Sequence, residues 1–244
     1  PKPMLRQLGA RFLPGQTGNL SFPVNEGGIV ASWEGEITEV DSSKTKYGNK
    51  EMKPKRLAVT TPISLQNIMQ STPSLEQMTM QDVLASVEEA IDSAAINGSG
   101  TGNVPEGILN ATGVNTIAAG THGALPTWAN VVDLETAIKV ENVNAAKLAY
   151  MINAATRGRL KKTKHEAGDL GYLMDREGKM NGYDVGISNL VPGDLTKGTA
   201  NGVANAAIFG DLSQLLIAQW GFYDMSVDDK SLKKVGQIEI TFNT

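Results

Sequence analysis

The sequence predicts a mixed α+β fold, and three observations support this prediction. Over residues 74–97, apolar side chains recur at three- and four-residue steps, the period of a helix with one buried face. Residues 236–242 alternate between apolar and polar side chains, as a half-buried strand does. Between these segments, short apolar runs are separated by many of the 26 glycines, which indicates short strands joined by turns. At 244 residues, the chain can form one large domain or two small ones.

The longest predicted helix spans residues 74–97, and we expect it to be the central support of the fold. Ser74 is a good N-cap, Gln77 completes a capping box, and Pro73 opposes an earlier start. Gly98 follows Asn97 as a residue that commonly ends a helix in the left-handed conformation. Five residues represent the predicted buried face, namely Val83, Leu84, Val87, Ile91 and Ala94.

The amino-terminal quarter of the chain has two unusual compositions. Residues 1–28 are rich in proline and glycine, which predicts an extended arm that becomes ordered only by lying on another surface. Residues 29–33 are typical of a short strand. Over residues 34–56, eleven of 23 residues are charged, and Tyr47-Gly48-Asn49 forms a bend, so we predict a long hairpin; the composition alone fits a solvated loop equally well. The acids come first and the bases follow, with Glu51 among the bases: Glu34, Glu36, Glu39 and Asp41, then Lys44, Lys46, Lys50, Lys53, Lys55 and Arg56.

The remaining elements follow from local patterns. Thr127 is predicted to cap a helix over residues 128–141, and Asn153–Lys164 is predicted to be a short basic helix. A further short helix is predicted over residues 63–69. Strands are predicted at 57–61, 116–118, 148–152, 172–175, 183–188, 206–209, 215–218 and 236–242, with a turn at Gly210-Asp211.

Composition argues against several kinds of site. The chain has no cysteine, which excludes disulfides and thiolate metal sites, and only two histidines, His122 and His165. A formal net charge of −4 argues against general nucleic-acid binding through a basic surface. No apolar run approaches the roughly 20 residues that span a membrane. The amino end lacks the apolar core of a signal peptide, and the start at Pro1 rather than Met leaves room for an upstream segment. We therefore expect no cofactor, no metal and no membrane contact.

Catalytic and nucleotide-binding motifs are incomplete. The glycines at 98, 100 and 102 resemble part of the dinucleotide-binding fingerprint. However, Asn103 stands where that fingerprint needs glycine, and a helix precedes the loop instead of a strand. Gly193 and Gly198 have the spacing of a phosphate-binding loop, yet Thr199 occupies the place of its essential lysine. The adjacent carboxylates Glu88 and Glu89 are interpreted as ordinary surface charge and not as a catalytic pair. An enzyme is therefore the weaker hypothesis.

Two motifs carry a family resemblance. Residues 95–109, AINGSGTGNVPEGIL, resemble the loop that ends the long helix in tailed-bacteriophage major capsid proteins of the Hong Kong 97 type. A second match lies at residues 208–213, IFGDLS, and the order of elements between and before these points also fits. The resemblance therefore covers nearly the whole chain, and it rests on the order and separation of the motifs.

The resemblance implies a division of the chain. In this family the charged segment is a long two-stranded projection, the E-loop, and the long helix is the spine helix of a peripheral domain. The implied parts are an N-terminal arm (1–28), the E-loop hairpin (29–60), a peripheral domain (61–105 and 213–234, with the spine helix at 74–97) and an axial domain (106–212 and 235–244).

The resemblance also implies a structural role, that of a phage or prophage head protein that assembles with itself into hexamers and pentamers. The shell would enclose DNA without sequence-specific binding. The implied location is the virion, after synthesis in the host cytoplasm, with portal, scaffolding and head-maturation protease proteins as further partners. The shell protein of a bacterial nanocompartment has the same fold and is the close alternative; a soluble enzyme is the more distant one. Some members of the family join an E-loop lysine covalently to an asparagine of a neighbour. Because residues 206–242 contain no asparagine, we expect a non-covalent shell.

Overall fold

The computed structural model describes residues 4–27, 29, 31, 33, 44–70, 74–140, 147–165, 171–221 and 223–244, apart from the side chains of Glu26, Ser74 and Glu76. Within these residues the predicted mixture of helices and strands is confirmed. The helices are α1 (Met4–Gln7), α2 (Leu65–Gln70), α3 (Ser74–Asn97), α4 (Trp128–Lys139) and α5 (Ala154–Leu160). The strands are β1 (Arg11–Gln16), β2 (Leu20–Gly27), β3 (Lys46–Met52), β4 (Ala58–Ser64), β5 (Leu148–Ile152), β6 (Asp184–Ile187), β7 (Leu195–Lys197), β8 (Ala200–Ala204), β9 (Ala207–Asp211), β10 (Leu216–Trp220), β11 (Asp224–Asp228) and β12 (Gln237–Asn243).

A three-stranded sheet of order β6-β5-β9 separates two apolar clusters. Its middle strand β5 runs parallel to β6 and antiparallel to β9. Side chains alternate across a strand, so Tyr150 and Ile152 pack on one side with residues of α4 and α5. Met151 packs on the other side, against Leu5 and the fully buried Ile96. The strand predicted over residues 148–152 is thus confirmed as a core element.

A second three-stranded sheet, of order β11-β12-β4, packs on the spine helix α3. Phe242 of β12 is buried in one cluster with Val83 and Val87 of the helix. The expectation that residues 235–244 return to the axial domain is therefore wrong. The last strand pairs with β4 and β11 because its buried side chains, Ile240 and Phe242, cover the apolar side of the spine helix.

The predicted limits of the spine helix, residues 74–97, are confirmed. Val83 and Val87 are buried, Ile91 packs against their cluster and Ala94 is half-buried. Leu84, in contrast, is 47% exposed, so its placement on the buried face is wrong. Adjacent helical residues point about 100° apart, because a turn takes 3.6 residues, and Val83 occupies the direction that faces the sheet.

The amino-terminal segment packs on its own chain from residue 4 onward. Helix α1 places Leu5, which is fully buried, in the cluster that contains Ile96 and Met151. Strand β1 then runs parallel to β10, and the Trp220 indole N–H donates to the Gly18 carbonyl at 2.6 Å. The expected extended arm over residues 1–28 is therefore wrong for residues 4–16, which belong to the folded body.

Several local predictions differ from the structure. Residues 116–118 have no regular structure, and residues 172–175 contain only a single bridge, at Tyr172. Residues 29, 31 and 33 lie outside any strand, while residues 30 and 32 lie outside the described residues. Gly210 and Asp211 belong to β9 and do not form a turn. At 116–118 and 172–175 the run is only three or four residues long and does not pair as a strand with another described segment, so the local pattern alone does not determine a strand there.

Candidate assembly surfaces

The glycine loop, residues 98–107, is fixed against the end of the spine helix by backbone contacts. The Gly98 N–H donates to the Ala94 carbonyl at 2.8 Å, and the Gly107 N–H donates to the Gly98 carbonyl at 2.9 Å. The side-chain amide of Asn110 donates to the Gly98 carbonyl at 3.0 Å. The loop is therefore a rigid continuation of the helix.

Glycine is required at position 98 because the backbone of the glycine loop lies too close to the helix end for a Cβ atom, and not because the backbone is left-handed there. A Cβ atom at this position would lie 2.1 Å from the Pro105 carbonyl oxygen and 2.4 Å from that of Ala94. Its φ is not among the positive values, which corrects the left-handed stop expected after Asn97. At Gly107 a Cβ would meet the Gly98 nitrogen at 2.4 Å. Both glycines let the loop lie directly on the helix end.

The charged segment contributes to a two-stranded antiparallel sheet, here named the ribbon, formed by β2 and β3. Its outgoing strand is Leu20–Gly27, which the sequence had assigned to the arm, and its returning strand is Lys46–Met52. The bend predicted at Tyr47-Gly48-Asn49 is wrong, because Gly48 pairs with Val24 in the middle of the ribbon. The hairpin connection falls instead between residues 27 and 46.

The predicted E-loop charges fall into three groups. Glu34, Glu36, Glu39 and Asp41 lie outside the described residues. Lys44, Lys46, Lys50 and Lys53 are exposed, and the Lys53 ammonium lies 3.5 Å from the carboxylate of Glu51, two residues earlier in the chain. Lys55 and Arg56 contact the body of their own chain. The Lys55 ammonium donates to the Gly102 carbonyl, and the Arg56 guanidinium donates to the Asn243 side chain at 2.6 Å.

In the described register, residues of β2 stand opposite the lysines of β3, while the acids Glu34, Glu36, Glu39 and Asp41 lie outside the described residues. Lys50 faces Phe22, Lys46 faces Gly27 and Glu51 faces Ser21. Because the outgoing strand is β2, it brings no run of acids opposite the lysines. The positions opposite Lys46 and Lys50 on the neighbouring strand are therefore each held by an uncharged residue.

Asp92 is a buried carboxylate that the sequence analysis did not single out. It is 3% exposed on the inner side of the spine helix, and the Met4 N–H donates to its Oδ2 at 2.9 Å. Burial raises the pKa of Asp92, and the neighbouring Glu88 adds to the rise, while the Met4 and Leu5 amides and Arg6 oppose it. In the sequence, Asp92 is an acid that stands among the apolar residues of the spine helix, and this pattern could have identified it as a buried carboxylate. Asp92 holds the first helix onto the spine helix.

Asp92→Asn is expected to leave the melting temperature at pH 7 equal to or above that of the parent, because the neutral amide keeps an acceptor oxygen and carries no charge to desolvate. Asp92→Ala is expected to cost about 1–3 kcal/mol, because the buried Met4 N–H loses its acceptor.

The pH dependence of Asp92 follows from the direction of its pKa shift. An acid whose folded-state pKa is raised destabilises the fold above that pKa and ceases to do so below its ordinary value of 3.8. The difference in melting temperature between Asp92→Asn and the parent should therefore shrink between pH 7 and pH 4. A difference that widened on acidification would show that the ionised carboxylate is favourable.

Metal and membrane sites have no counterpart in the described part of the chain. No group of three or more His, Asp or Glu side chains there could hold a metal ion. No described helix is both long enough and apolar enough to cross a bilayer. In the described part of the chain, the candidate assembly surfaces are therefore the spine helix, the glycine loop and the ribbon.

Comparisons with known proteins agree on one family. Residues 2–242 match the model of the phage capsid family. The major capsid protein of Halomonas phage phiHAP-1 is 30% identical over 227 residues, which cover 92% of this chain and 35% of the relative. The major capsid protein of Klebsiella oxytoca phage phiKO2 is 27% identical over 230 residues, or 92% of this chain and 53% of the relative. The chain thus spans about a third to a half of the length of these relatives.

A solved structure, the capsid of an empty GTA particle, superposes with a TM-score of 0.76 at 21% identity and covers 99% of this chain and 83% of that chain. This similarity establishes the Hong Kong 97-type capsid fold that the sequence predicted. Since the family model extends over nearly every residue, this chain belongs to the phage capsid family.

Proposed function

We propose that the chain is the major capsid protein of a tailed phage or prophage, which assembles into hexamers and pentamers of an icosahedral shell around DNA. The observation that carries this proposal is the family match over residues 2–242. The relatives named as major capsid proteins favour a phage head over a nanocompartment shell. The role is structural, the location is the virion, and portal, scaffolding and protease proteins are the further partners of such a head.

The exposed apolar side chains near the ribbon support assembly. Trp33 is fully exposed at 103%, Ile29 is 72% exposed and Tyr47 is 69% exposed. Burying apolar surface away from water lowers the free energy by about 25 cal/mol for each Å² of accessible area. A contact with a neighbouring subunit would remove this surface from water, and many repeated contacts of this kind stabilise a closed shell.

The domain division of the family is proposed here with two changes. The peripheral domain would hold the spine helix together with β4, β11 and β12, so that residues 235–244 join it. The axial domain would contain the β6-β5-β9 sheet with α4 and α5. Residues 4–16 would belong to the body and not to the arm, because Leu5 is fully buried there. These assignments follow from which elements share a buried cluster.

Electron microscopy of the purified chain tests the proposed function directly. In negative stain, we expect closed shells or curved sheets built from rings of five and six subunits. The stained sample should be prepared over a range of protein concentrations, because assembly depends on mass action. A chain that stayed a monodisperse monomer at high concentration would contradict the proposal.

We expect the shell to be non-covalent. Asp228 lies in the stretch where a receiving asparagine was expected, and it accepts bonds from the Lys230 N–H at 2.7 Å and the Ser231 N–H at 3.1 Å. The hydrogen bond from the Ser231 hydroxyl, followed by these amides, lowers the pKa of Asp228, so the group remains an ionised carboxylate and is a poor acyl partner for a lysine. Particles boiled in denaturant should run as single chains on a gel, whereas a ladder of multimers would contradict this expectation.

A further inference from the structure

Five of the 22 basic residues lie within eight positions, from Arg157 to Lys164, with no acid among them. We name this set the basic patch; its members are Arg157, Arg159, Lys161, Lys162 and Lys164. Arg159 and the three lysines are exposed. This concentration of positive charge stands out in a chain whose formal net charge is −4.

The local fold turns these cations outward. Thr156 and Leu160 of α5 are buried, and Thr163 is half-buried, so every third or fourth residue faces the body. The Lys162 and Thr163 N–H groups both donate to the Arg159 carbonyl, at 2.9 and 3.0 Å, which continues the helical turn beyond Leu160. Arg159 and the three lysines therefore occupy the outer side of one compact turn, while Arg157 is half-buried.

Among the described residues, the side chains of the basic patch have no partner that neutralises their charge. None of the five side chains forms an ion pair or a hydrogen bond with another described residue, and the Arg157 Nε is enclosed without a partner there. Two acids follow in sequence, Glu166 and Asp169, which lie outside the described residues. Even when they are counted, residues 157–170 carry a net charge of +3. Cations near a helix C-terminus are favoured by its dipole, but that effect is confined to the last turn and does not require five of them.

From this arrangement we infer that the basic patch binds the phosphate backbone of nucleic acid, without reading its sequence. Closely spaced Arg and Lys side chains neutralise successive phosphates and release their counterions, and no other surface feature is needed for such binding. A protein partner fits the patch less well. Protein interfaces are depleted in lysine and are built around buried apolar anchors, and the one large apolar residue of this turn, Leu160, is buried in its own core. This inference extends the proposed function by giving the enclosed genome a contact surface.

Fluorescence anisotropy with a labelled DNA duplex tests the inference on the unassembled chain. The patch variant carries Arg159→Gln, Lys161→Gln, Lys162→Gln and Lys164→Gln. The control variant removes the same charge from β3 and the residues that flank it, with Lys44→Gln, Lys46→Gln, Lys50→Gln and Lys53→Gln. At about 50 mM salt we expect the patch variant to bind at least tenfold more weakly than the parent, and the slope of log K against log[salt] to become shallower by about 3–4. The control variant should keep the affinity and slope of the parent.

Three outcomes would overturn the inference. They are a parent chain that does not bind the duplex, a patch variant that binds like the parent, and a control variant that loses as much affinity as the patch variant. Equal melting temperatures for the three proteins would show that folding is intact. A patch variant that bound DNA normally but failed to assemble would assign the patch to contacts with another copy of the chain. If the parent chain formed shells normally but did not bind the duplex, this inference would be rejected and the proposed function would stand.

Discussion

Replacing Ser21–Glu51 with a short Gly-Ser turn is expected to abolish shell formation while the melting temperature of the folded body changes by less than about 2 °C. The replacement is geometrically simple, because Leu20 and Met52 are paired neighbours at the base of the ribbon. None of the described ribbon residues is buried, and none belongs to an apolar cluster. An isolated two-stranded ribbon is marginal in water. Its contribution is therefore expected to lie in contacts between subunits.

Two measurements decide this prediction. Melting monitored by circular dichroism reports on the body, and negative-stain microscopy reports on assembly. A matched control exchanges only Lys50→Gln and Lys53→Gln, which keeps the ribbon and should keep the shells at low salt. Shells that still formed without the ribbon would remove its proposed role, and a shortened chain that unfolded would show that the ribbon supports the monomer.

Gly98→Ala is expected to destabilise the monomer by about 3 kcal/mol or more, a large share of a domain's net stability. The added Cβ would fall 2.1 and 2.4 Å from two backbone oxygens. Neither oxygen sits on a flexible side chain, so the helix end and the glycine loop must separate to admit the methyl group. The loss would appear in urea unfolding as a lower midpoint with an unchanged slope.

Gly158→Ala is the matched control for this substitution. Gly158 is exposed within α5, and a Cβ there meets nothing within 4 Å. Alanine is the better helix former, so this change should stabilise the protein by up to about 1 kcal/mol. If Gly98→Ala and Gly158→Ala shifted the unfolding midpoint in the same direction, the close approach at the glycine loop would not be a constraint.

The elements that the sequence predicted well are those specified by local chemistry. The spine helix carries its own periodic apolar residues, and α4 carries its own cap: the Thr127 hydroxyl accepts from the Asn130 N–H while the Asn130 side chain accepts from the Thr127 N–H. The strand at 148–152 is a continuous apolar run in the core. In each case the residues that determine the element lie within it.

The elements that the sequence missed depend on distant residues. β2 has apolar residues at alternate positions, Leu20, Phe22 and Val24, but Pro23 between them argues against a strand, so its partner β3 is needed to identify it. The place of β12 beside β4 depends on the apolar side of the spine helix, more than a hundred residues earlier. The role of Asp92 depends on the chain reaching back to residue 4. At the candidate site, the tethering of Lys55 and Arg56 to Gly102 and Asn243 could not be inferred from charge alone.

The pairing of the first strand with one of the last has a consequence for synthesis. Arg11 pairs with Leu216, and Thr60 pairs with Thr241, so two sheets join residues about 180 to 205 positions apart. Non-local pairing of this kind slows folding, because the chain loses the entropy of closing a long loop before the stabilising contacts form. On the ribosome, the apolar side of the spine helix stays uncovered until β12 emerges, more than a hundred residues after the helix. Subunit association through the completed body must therefore wait until β12 has been synthesised, so the spine helix forms well before the surface that covers it.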